Sequence, residues 1–72
     1  MAKPSTTDVE SRAQTALKDS PIFALRDLHV HRDGGTLLIS GRVNSFYHKQ
    51  LAQEVVRAVA EDLRVVNSID VE

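Results

Sequence analysis

Hydrophobic positions along this chain change their period several times, and each change marks a structural element. Val9, Ala13, Ala16 and Leu17 recur at spacings of four, three and one, which gathers them on one arc of a helix. Thr7–Asp8–Val9–Glu10 fits the T-x-x-E capping box at its start, where a hydroxyl and a carboxylate satisfy the first free amides. Asp8 and Glu10 lie near the positive end of the helix dipole and Lys18 near the negative end. The helix stops around Asp19–Ser20–Pro21, because the residue before proline is pushed out of the helical region. Ile22, Phe23 and Leu25 then form an apolar bridge to the first strand.

From Leu28 the period shortens to two. Leu28 and Val30 face inward, and His29 and His31 face the other side. Asp33–Gly34–Gly35 is a tight hairpin turn in which either glycine can take a positive φ. The returning strand, Thr36 to Val43, sets Leu37, Ile39, Gly41 and Val43 inward, and Thr36, Leu38, Ser40 and Arg42 outward. A glycine on an inner strand face needs a reason. Either the strand bulges or bends at Gly41, or the absent side chain lets the following helix lie close to the sheet.

Ser45 is a good N-cap for a second helix, from Phe46 to about Asp62. Leu51, Ala52, Val55, Val56 and Val59 form its apolar stripe, with Gln50, Gln53, Glu54, Arg57 and Glu61 opposite. Arg64 to Val71 returns to period two, with Val65, Asn67, Ile69 and Val71 inward and Val66, Ser68 and Asp70 outward. The order is α-β-β-α-β. A right-handed βαβ crossover places the long helix on one sheet face, and the first helix must cover the same apolar face. The expected class is therefore α+β: a two-layer α/β sandwich whose three-stranded mixed sheet has both helices on one face, the third strand running parallel to the second. Which strand is central stays open.

Composition narrows the reading. Seventy-two residues make one domain, taken as 7–72 after a frayed lead-in over 1–6. A chain of this size buries roughly 60% of its unfolded surface, so its stability is limited. It has no cysteine, which excludes disulfides and a cysteine-based zinc site. Phe23, Phe46 and Tyr47 are its aromatic residues, which leaves the core to Leu, Ile, Val and Ala. Nine Lys and Arg against ten Asp and Glu give a net charge of −1 with alternating signs, which argues against a non-specific nucleic-acid binder. No apolar run suggests a secretory signal or a transmembrane segment, so the chain as written is expected in the cytoplasm. A fragment of a longer exported protein would instead belong to the periplasm or envelope.

One pattern joins these elements: Leu28-x-Val30, Gly35-x-Leu37-x-Ile39-x-Gly41-x-Val43-x-Ser45, an amphipathic helix, and Val65-Val66-Asn67-x-Ile69-x-Val71. It resembles the BON domain, closely from Leu28 to Val71 and more loosely over the first helix, as a single copy. Gly41 aligns with the glycine characteristic of that family, and Val43, Ser45 and Asn67 complete the motif. The family usually leaves its long helix through a glycine–valine pair, whereas this chain reads Ala60–Glu61–Asp62–Leu63–Arg64. The resemblance implies a non-catalytic module that binds phospholipid surfaces or envelope-associated partners, without a cofactor.

Candidate chemistry is sparse. His29 and His31 share a strand face, but His48 falls in the apolar stripe of the long helix on the other side of the sheet, so three ligands do not converge. The ring of His48 is expected half-buried, with its nitrogen reaching water. No nucleophile elbow or phosphate loop is present, and no catalytic or metal residue is assigned. A KH-like RNA-binding reading lacks the G-x-x-G loop and paired aromatic residues on the sheet.

Two surfaces remain. Arg42, Phe46, Tyr47 and Lys49 form a candidate rim for an anionic phospholipid surface or a membrane-associated protein. The open sheet face, with His29, His31, Leu38 and Val66, is the alternative, for protein–protein assembly without lipid. Exposed strand edges offer a further route to weak homo-oligomers.

Overall fold

The computed structural model describes residues 6–72. Helix α1 spans Thr6–Lys18, a 3₁₀ turn covers Phe23–Leu25, β1 spans His29–Asp33 and β2 spans Thr36–Ser40. Then come β3 (Arg42–Val43), α2 (Phe46–Val59), β4 (Arg64–Asn67) and β5 (Asp70–Val71). Thr6 and Thr7 are both within α1; the capping box expected at Thr7–Glu10 rests on the Thr7 side chain, which lies outside the described residues. Residues 1–5 of the expected lead-in fall outside the described residues.

The three-stranded sheet has the order β1-β2-β4, so β2 is central. β1 and β2 are antiparallel, with His29 opposite Ser40 and Asp33 opposite Thr36. β2 and β4 are parallel, with Thr36 opposite Arg64 and Ile39 opposite Asn67. Of the two turn glycines, only Gly34 takes a positive φ (61°), as a type II′ hairpin requires of its first central residue.

The second and third strands, each expected as one run, are both broken. Gly41 interrupts the first pair partner and Ser68–Ile69 the other, and beyond the break β3 pairs parallel with β5. Partners remain equally far apart in sequence on both sides, Thr36 opposite Arg64 and Arg42 opposite Asp70, so neither strand has gained a residue. The Ser68, Asp70 and Glu72 amides donate to the Ile39, Gly41 and Val43 carbonyls at 2.8, 2.9 and 2.9 Å. The ladder thus runs through the break as a bend, and a bulge is excluded.

Gly41 makes that bend with φ at +131°, a conformation side chains resist. A Cβ there would also lie 2.6 Å from Leu28 Cδ2 and 3.4 Å from Leu28 Cα. The close neighbour is therefore the chain entering β1, not the following helix. Asn67 fixes the bend on the partner strand: its Oδ1 accepts from the Ile69 amide (3.1 Å), and its Nδ2 donates to the Lys49 carbonyl (2.9 Å) and Gln53 Oε1 (3.2 Å). One side chain thereby sets the local turn and ties it to α2.

Ser45 caps α2 as expected, its hydroxyl accepting from the His48 amide at 3.1 Å. The helix ends at Val59, short of the expected Asp62, because Glu61 adopts φ +58°. Glu61 occupies the left-handed position where glycine commonly ends a helix, and its carboxylate receives Arg12 Nη2 of α1 at 2.7 Å.

Both helices pack on one sheet face. Val9, Ala13 and Leu17 of α1 meet Ala52 and Val56 of α2 over Val30, Leu37 and Ile39, with Leu25, Leu28, Val43, Ala60 and Ile69 closing the cluster. Ser20 is buried among them; its hydroxyl accepts from the Ile22 amide and its carbonyl from Arg26 Nε. Gln14 bridges α1 to the outer edge of β1, donating to the Leu28 carbonyl (2.8 Å) and accepting from the Val30 amide (2.9 Å). Its side-chain amide stands in for a neighbouring strand.

Candidate binding surfaces

The fold leaves two surfaces built from the residues singled out in the sequence. The first lies where β3 turns into α2. Phe46 and Tyr47 open that helix and are 75% and 67% exposed. They directly follow the cap at Ser45, and His48 and Lys49 of the same turn are half-buried. Phe23, expected to help bridge into the first strand, is instead 78% exposed, while Leu25 is fully buried. Phe23 lines a cavity of about 340 Å³ with Ala24, Asp27, Arg42, Val43, Asn44 and Glu72, which puts it beside the end of β3. The chain holds two phenylalanines, one tyrosine and no tryptophan, so all of its aromatic side chains lie on the surface.

Charges around this rim are mixed. Arg26 stacks over the Phe23 ring, its guanidinium carbon 4.7 Å from the centroid. Arg42 is exposed and forms an ion pair with Glu72 at 2.9 Å. Lys49 is half-buried, one turn into α2. With Asp27 and Glu72 beside them, these cations do not make a strongly positive patch. Phe23 and Arg26 escaped sequence reasoning because an aromatic ring after a proline looks the same whether it turns inward or outward.

The second surface is the sheet face away from the helices. The register sets His31, Leu38 and Val66 in one row, and His29 and Ser40 in the next. Both histidines are exposed, Leu38 is half-buried and Val66 is 37% exposed. The apolar content of this face is thus confined to one row. His48 sits on the opposite side of the sheet in α2. The ring is half-buried, as expected; its Nδ1 is shut off from solvent and has no hydrogen-bond partner.

Among the described residues, no group of three or more His, Asp or Glu side chains gathers to hold a metal ion. No helix among them is long and apolar enough to cross a membrane. Gly41, Val43, Ser45 and Asn67 all act structurally, at the bend, in the core, at the helix cap and in the tie to α2. Across known families, the sequence model described as BON domain matches residues 5–72. No curated protein matches the chain.

Proposed function

The chain belongs to the BON domain family, and from that premise we propose that it is a non-catalytic module that docks on phospholipid surfaces or their associated proteins through its aromatic rim. One observation carries this reading: every aromatic side chain of a small domain is left outside its core, at the end where β3 enters α2. Phenylalanine and tyrosine each bury 150–250 Å² when packed, so leaving all of them in water forgoes much stability. Amphipathic rings suit a membrane interface, where the ring meets acyl chains and its edge meets headgroups. Arg26, Arg42 and Lys49 supply cations for anionic headgroups, each worth roughly 1 kcal/mol when unopposed. Asp27 and Glu72 oppose them, so ring insertion rather than charge contributes most of the affinity.

Co-sedimentation with vesicles tests this. Vesicles containing anionic phospholipid should carry the protein down, with only a modest loss between low and high salt. Absence from the pellet at low salt removes the lipid reading.

The row His31–Leu38–Val66 favours a second reading, in which the open sheet face is an assembly surface. On that reading Leu38→Glu abolishes concentration-dependent association in sedimentation while leaving vesicle binding intact.

A further inference from the structure

Arg26 is fixed twice. Its Nε donates to the carbonyl of the buried Ser20 at 2.9 Å, and its guanidinium lies over the Phe23 ring, 4.7 Å from the centroid. Among the described residues neither Nη group has a hydrogen-bond partner. A long side chain ordinarily loses rotamer freedom when it binds a ligand. Here that freedom is already spent, and the end-on pair of Nη donors is left, a fork that matches two oxygens of one anion.

The fork opens on an open cleft of about 350 Å³ that Arg26 lines with Gln14, Lys18, Asp27, Leu28 and His29. Its volume falls in the range of small-ligand sites. Lys18 comes from the last turn of α1 and Arg26 from the end of the 3₁₀ turn, and His29 opens β1. All three are exposed, and among the described residues none of them forms an ion pair. Arg12 and Arg42, by contrast, each sit against a carboxylate. Gln14 Nε2 keeps one N–H beyond the one it gives to the Leu28 carbonyl. Asp27 is the one carboxylate among the lining residues.

We propose that this cleft binds a phosphate monoester, with the Arg26 fork on two terminal oxygens and Lys18 on the third. A phosphate monoester carries nearly two negative charges at neutral pH, which match Lys18 and Arg26 together. A carboxylate or a phosphate diester offers two free oxygens and one charge. The fork alone satisfies either of those and leaves Lys18 idle. Asp27 opposes part of the attraction, so the fork's geometry contributes more than net charge. Arg26 and Asp27 also border the aromatic rim. Binding of a soluble ester needs no bilayer, however, so the proposal does not rest on the lipid reading.

Titration of the nitrogen-labelled chain with glycerol phosphate, followed by nuclear magnetic resonance, tests it. The Arg26 Nε–H signal and the amides around Lys18 and Arg26 should move together and saturate. Arg26→Lys should weaken binding about tenfold, because an ammonium cannot replace the fork. Lys18→Gln should weaken it about fivefold, and Asp27→Asn should tighten it about twofold. Lys18 holds no contact with the fold, so its variant remains informative if loss of the Ser20 bond disturbs Arg26→Lys. Phe23→Leu should weaken binding about twofold and Phe23→Tyr should retain it, as a ring that positions the guanidinium requires. Acetate and dimethyl phosphate should bind about tenfold more weakly than glycerol phosphate.

Vesicles separate the two sources of such a phosphate. If it belongs to a lipid headgroup, phosphatidic acid should retain more protein than phosphatidylglycerol at equal surface charge, and Arg26→Lys should erase the difference. Equal retention, with glycerol phosphate still bound in solution, assigns the cleft to a soluble ester. No saturable shift at Lys18 and Arg26, acetate binding as tight as glycerol phosphate, or unchanged binding in Lys18→Gln would each overturn the proposal.

Discussion

The interior and the aromatic rim of this domain are built from different residue types. Inside, Leu17, Leu25, Leu37, Ile39, Ala52 and Val56 are fully excluded from water, and no aromatic ring joins them. Outside, Phe23, Phe46 and Tyr47 are each two-thirds exposed or more. Aliphatic side chains interlock under two short helices without needing the span of a ring, and Gly41 and Asn67 shape the sheet to fit them. The contrast separates stability from binding by residue: loss of an interior side chain should unfold the domain, and loss of a rim ring should weaken its contacts with other surfaces.

Four substitutions sharpen or break that separation. Leu37→Ala, on the buried face of β2, should cost about 3–4 kcal/mol in chemical denaturation, enough to threaten a domain this small. Gly41→Ala comes next, at about 2–3 kcal/mol, because the methyl group meets Leu28 and the backbone must hold a positive φ. Asn67→Ala should cost about 2 kcal/mol, since it strands the Ile69 amide and releases α2. Phe46→Ala should change stability by less than about 0.5 kcal/mol yet reduce vesicle affinity several-fold. If Phe46→Ala destabilised the fold as much as Leu37→Ala, the division between interior and rim would fail.

Much of the fold was legible in the sequence, because period two and period 3.6 are direct imprints of burial. The stripes on both helices, the inward alternation of Leu28, Val30, Leu37 and Ile39, the cap at Ser45 and the parallel pairing of the second and third strands all follow from it. The breaks at Gly41 and Ser68–Ile69 left no trace in that periodicity, since a bend that inserts no residue preserves the alternation on both sides. The end of α2 was misread because a non-glycine residue, Glu61, takes the left-handed position. Gln14 was missed because its task, covering an edge, depends on where β1 lands relative to α1. A glutamine between the buried Ala13 and the stripe residue Ala16 was the available signal.

The candidate rim was only partly legible. Phe46 and Tyr47 could be placed by the cap that precedes them, whereas Phe23 joins them through a tertiary turn no local pattern specifies.

The central claim, that the aromatic rim enters a lipid surface, can be read at one residue because the chain lacks tryptophan. Phe46→Trp introduces a single reporter there, and Val66→Trp does so on the open sheet face. With anionic vesicles, the emission of the first should shift to the blue and be quenched by brominated acyl chains, while the second stays unchanged. An unmoved spectrum at position 46, or equal quenching at position 66, would contradict the account.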